Sequence, residues 1–373
     1  MTPPVQIIHI VRESAGGMRK HVLHLLTALD RERFRLSLVA PQDFTAAALK
    51  QGLWDMTCVD AQIGDALGPR SVIALPRILK LARGTPSPRI IHAHGYAAAL
   101  YASAVALLSG SKLVYTAHNA LSSEASAITR AAARIASRRA ARIIAVSEGV
   151  KKSLQTIGVP AAKITVIANG VDAGELPADF DRSAKLAELD VPADSKIVLC
   201  VARLTPVKGV RYLVEAVSAL RKAIGRCEIV VAGDGPEMES LRELDRRLNG
   251  SDGVVFLGHR DDIPELLAVA DAVAVPSVQE GQGLVALEAM AAGKPVVATA
   301  VGGLVETIRD GVTGLLAAPE DPGALAEGLA RVLSDPELAR SLGDAGIRFV
   351  RKEMTVEKMI AATEDVYLQC IEA

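Results

Sequence analysis

Short apolar runs alternate with amphipathic stretches along almost the whole chain, the pattern of parallel strands buried on both faces and joined by crossover helices. The runs that read as strands in the first half are Val5–Ile10, Arg35–Ala40, Met56–Val59, Ile90–Ala93, Lys112–Thr116, Arg142–Val146 and Ile164–Ile167, with helices of ordinary length between them. The period breaks after Asn169-Gly170-Val171-Asp172, where AGELPADFDRSAKLAELDVPADS brings prolines and acids without regular spacing. It resumes with Lys196–Ala202, Cys227–Ala232, Gly253–Leu257, Ala272–Val275 and Pro295–Ala298. The expected class is α/β, with two Rossmann-like domains over 1–172 and 196–354 and a linker over 173–195. From Pro322 onward the tail reads as helical; Asp335-Pro336 opens one helix and Thr355 caps the last, 355–373, which is expected to cross back to the first domain.

Composition narrows the class. The 373 residues are 50% hydrophobic and 23% charged, which excludes a disordered or collagen-like chain and a basic nucleic-acid tail. The cysteines at 58, 200, 227 and 370 form no C-x-x-C pair, arguing against a structural zinc and for a reduced, cytoplasmic compartment. MTPPVQIIHIV lacks the basic and apolar regions of a secretory signal. The apolar stretch Ala97–Leu108 is shorter than the roughly 20 residues that span a bilayer, and reads as a buried helix. A near-neutral total hides an asymmetry: residues 1–172 carry 21 Lys+Arg against 10 Asp+Glu, and the remainder 21 against 33. The basic half suits an anionic headgroup or a charged acceptor; ordinary solvated charge is the competing reading.

The densest candidate chemistry lies in PSVQEGQGLVALEAM, residues 276–290, which runs from a strand end through a glycine loop into a helix. Ligands of open parallel sheets sit beyond the carboxyl ends of the strands, where Gly281 and Gly283 let backbone approach closely. The amides of Gly283, Leu284 and Val285 would face an anion at the helix start. Glu280 enters the loop, and Glu288 follows about 1.5 turns inside the helix, so one ligand with a diol could meet both; Glu288 as a plain polar-face residue is the alternative. A second cluster, VARLTPVKG, places Arg203 and Lys208 between a strand and a helix, a fork and a point charge suited to a diphosphate without a metal. Gly233-Asp234-Gly235-Pro236 is read as turn chemistry, and Ser14-Ala15-Gly16-Gly17-Met18 as a phosphate-approach loop without the full dinucleotide fingerprint.

His92 and His94 alternate at one strand end and His118 sits at another. Three imidazoles could hold zinc, yet no H-E-x-x-H and no neighbouring carboxylate supports that, so no metal is expected and ligand hydrogen bonding is preferred. His9 is read as a satisfied core residue. Neither a Walker A nor a G-x-S-x-G segment occurs, which removes ATP hydrolysis and serine acyl transfer.

Taken in order, AGGMRKHVLHL, HAHG, TAHN, VSEGVKKSL, VIANGVD, VARLTPVKG, VAGDGPE, FLGHRDDIPELLAVADAVAVPS and EGQGLVALEAMAAGKPVVATAVGGLVETIRDGVTGLL resemble the retaining nucleotide-sugar glycosyltransferases of family 4 over nearly the whole chain. The resemblance implies the GT-B fold, two Rossmann-like domains facing across a cleft, the second holding a nucleotide-sugar donor. It implies that Arg203 and Lys208 grip the diphosphate, Glu288 the ribose and Glu280 the transferred sugar. Gly16 and Gly17 would present backbone to the diphosphate or sugar, and His118 would contact the sugar. Gly258-His259-Arg260 looks like the base-side loop, acting through backbone. Gln282 stands where relatives often carry an apolar or aromatic residue, which bears on sugar preference.

What the resemblance implies for activity is transfer of a hexose from a nucleoside-diphosphate sugar, UDP foremost, to a saccharide or lipid-linked acceptor, with no cofactor. A basic helix face at Arg130, Arg134 and Arg138, with Arg139, Arg142, Lys151 and Lys152, suits an anionic inner membrane surface. Two rivals stay open: a nucleotide-sugar epimerase, which would turn over without acceptor, and a silent sugar-nucleotide-binding module.

Overall fold

The computed structural model describes residues 4–12, 16–63, 69–85, 88–121, 127–172, 176–250 and 253–372. They form two compact units, one running to Gly170 and taken up again from Val356, the other running from Val171 to Thr355. Ser14 and Ala15 of the glycine loop, and 173–175 of the expected linker, lie outside the described residues.

The first unit is built on strands β1 (Val5–Val11), β2 (Phe34–Ala40), β3 (Thr57–Asp60), β4 (Arg89–His94), β5 (Lys112–Ala117), β6 (Arg142–Ala145) and β7 (Ile164–Val166), in the order β3-β2-β1-β4-β5-β6-β7. The second holds β8 (Lys196–Val201), β9 (Cys227–Ala232), β10 (Val254–Gly258), β11 (Ala272–Val275), β12 (Val296–Thr299) and β13 (Leu315–Ala317), in the order β10-β9-β8-β11-β12-β13. Every strand pair is parallel. Continuous apolar strands are what a sheet covered by helices on both faces requires. In the first unit one face packs Ile8, Ile10, Ile91 and Tyr115 against Ala98, Tyr101 and Val105 of the helix Tyr96–Ser109. The other packs Ile7, Val11 and Ile90 against Leu25 and Leu26 of the helix Gly17–Ala28, and against Met359, Ile360, Val366 and Tyr367 of the final helix Val356–Glu372.

The expected linker takes a different form. From residue 176 onward it belongs to the second unit: Asp181 caps the helix Arg182–Glu188, and Leu186, Leu189 and Val191 enter that unit's core. Lys185 fixes the helix further, reaching Glu188 and Asp262 at 2.8 Å and Glu265 at 2.5 Å. Among the described residues, no helix is long and apolar enough to cross a membrane.

Candidate active site

Strand order reverses between β1 and β4 in the first sheet and between β8 and β11 in the second. At such a switch point the connecting loops part on opposite sides, leaving a crevice beyond the strand ends. The loop from β8 carries Arg203 and Lys208, and the loop from β11 carries Ser277 to Gly283, so the two charged clusters of the second unit meet at its switch point.

They meet directly. Lys208 Nζ donates to Glu280 Oε2 at 2.6 Å, the two side chains being 29% and 12% exposed, and the Ser277 hydroxyl donates to the same oxygen at 3.1 Å. The Gly281 amide donates to Glu280 Oε1 at 3.3 Å. Backbone stitches the two loops together, the Val207 carbonyl accepting from the amides of Val278 at 2.9 Å and Gln279 at 3.1 Å. Gly209 permits this approach: it sits at φ +60°, and a Cβ on it would lie 2.1 Å from the Pro276 carbonyl oxygen.

The helix Leu284–Ala291 starts from Gly283, at φ 88°, with no side chain capping its first turn. Its first-turn amides and dipole therefore form an anion-seeking end beside Lys208 and Glu280. Leu284 and Val285 open the helix partly buried, Glu288 lies partly buried one turn further on, and Gly281 and Gln282 are buried in the loop. The Gln282 amide nitrogen lies 4.0 Å from Met354 Sδ, and its carbonyl accepts from the Thr307 hydroxyl at 2.8 Å. Arg203 is exposed, and among the described residues its guanidinium has no carboxylate partner.

Arg260 is placed differently from the other candidates. Its guanidinium is taken up by Asp262, at 2.7 and 2.5 Å, and by Glu188, at 2.5 Å. These bonds raise the Arg260 pKa and hold the Asp262 carboxyl well below its usual range. What this loop leaves for a ligand is backbone, of which the Gly258 carbonyl already accepts from the Gly233 amide at 2.7 Å.

In the first unit, Gly16 at φ 71° precedes the helix that Gly17 opens, again without a capping side chain. His118 follows β5, partly buried, its Nε2 lying 3.4 Å from His94 Nδ1. His9 is less satisfied than its reading as a core residue implies: Nδ1 meets His94 Nε2 at 3.1 Å, while Nε2 is buried and has no partner among the described residues. Two overlapping groups, His9–His92–His94 and His21–His94–His118, bring three ring nitrogens each within 4.8 Å of one another. His21 was not singled out from sequence, because a histidine inside a helix carries no local signal of the strand ends it meets.

Other supports also escaped the sequence reading. Gly302 and Gly303 back the Glu280 loop so closely that a Cβ would lie 2.0 Å from the Glu280 carbonyl oxygen in one case and 2.2 Å from that of Gly281 in the other. The Thr299 hydroxyl donates to the Ser277 carbonyl from behind. Gly233 and Gly235 do more than turn the chain: their Cβ positions would lie 1.8 Å from the Ala202 oxygen and 2.3 Å from the Leu204 oxygen, so they let this segment lie flat against the Arg203 loop.

The chain resembles known glycosyltransferases over both units. The family described as glycosyl transferases group 1 matches residues 181–349, and Glycosyltransferase Family 4 matches residues 15–175. The chain is 35% identical over 232 residues to an uncharacterized glycosyltransferase of Methanocaldococcus jannaschii, a match covering 61% of this chain and 59% of that protein. It thus spans less than two thirds of that relative's length. To the glycogen synthase of Mycobacterium tuberculosis it is 33% identical over 318 residues, covering 81% of this chain and 74% of the synthase. Among solved structures, Anabaena Alr3699/HepE in complex with UDP and glucose superposes with a TM-score of 0.86 at 25% identity, over 98% of this chain and 99% of that one. With family models matching both units and a relative 33% identical over most of its length, the chain belongs to the group 1 glycosyltransferases of family 4.

Proposed function

We propose that the protein transfers a hexose from a nucleoside-diphosphate sugar, UDP-linked, to a hydroxyl of a polysaccharide or glycolipid acceptor, retaining the anomeric configuration and using no metal. The observation that carries this is the Lys208–Glu280 pair, set at 2.6 Å beside an uncapped helix start at the switch point of the second sheet. A diphosphate draws the Lys208 ammonium toward itself and frees Glu280 to accept hydrogen bonds from sugar hydroxyls. Arg203 adds the forked donor, the amides of Gly283 to Val285 the dipole end, and Glu288 an acceptor for the ribose diol. His118 donates to the sugar, and Gly16 and Gly17 offer backbone.

In the transfer, the bond from the anomeric carbon to the diphosphate oxygen breaks with its electron pair going to the diphosphate. The acceptor oxygen bonds to the same face of that carbon, and its proton passes to the leaving diphosphate. Charge grows on the leaving oxygens, where Arg203, Lys208 and the first-turn amides stabilise it. No protein nucleophile takes part. UDP is favoured because the Anabaena relative was solved with UDP and glucose.

Thermal shifts with UDP, GDP, ADP and CMP, each with and without chelator, test this. A ligand at 100 times its Kd adds about 2.7 kcal/mol, so UDP should raise the Tm clearly and without regard to chelator. Lys208→Ala and Glu288→Ala should stay folded yet lose sugar transfer by at least tenfold. A winning nucleotide other than UDP would replace the base, and wild-type rates in both variants would overturn the site. Consumption of donor without acceptor, giving an isomeric sugar nucleotide, would favour the epimerase.

Membrane docking has its own observation. On the helix Ala127–Arg139, Arg130, Arg134, Arg138 and Arg139 are exposed together with Ile135, which is 52% exposed. Cations around an exposed aliphatic side chain suit an anionic lipid surface. Flotation with anionic liposomes should show binding at low salt that high salt releases; no binding at low salt refutes it.

A further inference from the structure

Five imidazoles converge at the carboxyl ends of β1, β4 and β5: His9, His21, His92, His94 and His118. His9 and His92 are register partners on adjacent strands, as are His94 and Thr116, so the strands themselves deliver the rings to one place. His92 is spoken for separately, with the Tyr367 hydroxyl at 2.5 Å from Nδ1 and the Thr116 hydroxyl at 2.7 Å from Nε2. The other contacts form a line: His9 Nδ1 to His94 Nε2 at 3.1 Å, then His94 Nδ1 to His118 Nε2 at 3.4 Å.

A neutral imidazole has one N–H and one bare nitrogen, so such a line has a direction. Its far end decides which. His9 Nε2 is closed to solvent and has no partner among the described residues. Were the proton there, an N–H donor would be buried unpaired, which costs more than leaving an acceptor nitrogen unfilled. The proton of His9 therefore sits on Nδ1 and is donated to His94 Nε2. That puts the His94 proton on Nδ1, donated in turn to His118 Nε2, and leaves the His118 proton on Nδ1.

We propose that His94, oriented by His9, is a positioning residue that fixes His118 as the Nδ1–H tautomer, making His118 a hydrogen-bond donor, and not an acceptor, toward an oxygen of the sugar nucleotide. The recognition half of this inference rests on the glycosyltransferase reading; the tautomer half does not. Burial keeps the line uncharged, and the neighbouring His21 and Arg12 further oppose protonation of His118. A divalent cation is disfavoured because His94 already spends both ring nitrogens on other imidazoles and neither three-histidine group includes a carboxylate.

Nitrogen-15 histidine NMR of the full chain between pH 6 and 8, assigned by single His→Gln variants, reads the tautomer without any ligand. The wild type should show His118 with its proton on Nδ1. His94→Leu should shift His118 toward the Nε2–H form, while His94→Asn, which keeps an N–H near the Nδ1 position, should preserve it. In transfer assays, kcat/KM should fall by roughly tenfold in His94→Leu and His118→Gln and be largely retained in His94→Asn. An Nε2–H or cationic His118 in the wild type overturns the proposal, as do equal losses in both His94 variants. Cobalt(II) added alone and shifting the His21, His94 and His118 signals stoichiometrically would replace it with a metal site. Absence of transfer from every nucleotide sugar would refute the glycosyltransferase reading while the NMR still decides the tautomer.

Discussion

Gly303 has no room for a methyl group: a Cβ there would lie 2.2 Å from the Gly281 oxygen and 2.6 Å from the Gln282 Cα. Its φ of −70° is ordinary, so alanine is excluded by contact and not by backbone strain. Gly303→Ala must push the Glu280–Gln282 backbone forward, at an overpacking cost of about 1–3 kcal/mol. The expected outcome is a lower Tm together with an at least tenfold weaker response to the donor nucleotide, measured by melting and titration. Gly84→Ala, which meets nothing within 4 Å, should match the wild type. The contrast shows why part of the site was legible and part was not. Lys208 and Glu280 announce themselves by charge within glycine loops, whereas Gly303 and Thr307 matter only because a segment some 25 residues away in sequence folds onto them. Arg260 is the converse case: its charge is visible in the sequence, but the two carboxylates that occupy it are not, and the loop keeps its backbone as the part open to a ligand.

At the level of elements, strand positions followed closely from the apolar runs because both sheets are covered on both faces, which leaves little ambiguity between strand and loop. β13 was missed: three residues, Leu315–Ala317, are too few to show a period, and only pairing with β12 makes them a strand. The helix Arg182–Glu188 was absorbed into the expected linker because prolines and acids mask its apolar positions. Its capping Asp181 and the Lys185 cluster become informative only once Asp262 and Glu265 are brought alongside. Charge that reads as irregular along the chain is, in three dimensions, what seats this helix in the second unit.

Across the whole molecule, the five uncharged imidazoles give the first unit a distinctive response to acid. Burial lowers His9 to about 3 and His21 to about 4, and holds His92, His94 and His118 well below the usual value. In the unfolded chain these rings bind a proton near pH 6.5. Below that pH the unfolded state therefore holds more protons, so stability is complete above about 6.5 and falls as the pH drops toward the folded values. Each ring contributes up to about 1.4 kcal/mol per pH unit in that window. Segment-resolved hydrogen exchange, corrected for intrinsic rate, should show residues 4–170 and 356–372 opening between pH 6.5 and 5 before 176–355, and His21→Leu should flatten the slope. The same partition bears on synthesis. Phe34 and His92 face Tyr367, at ring-centroid distances of 5.6 and 5.5 Å, so the unit made first lacks one wall of its core until residues 356–372 are made. Residues 171–355 emerge as one uninterrupted block and can fold at once. At about 5–20 residues per second the earlier unit waits on the order of ten seconds or more with that apolar face uncovered. On the ribosome, the half that is translated first is the half that finishes last, and it is the natural client for a chaperone.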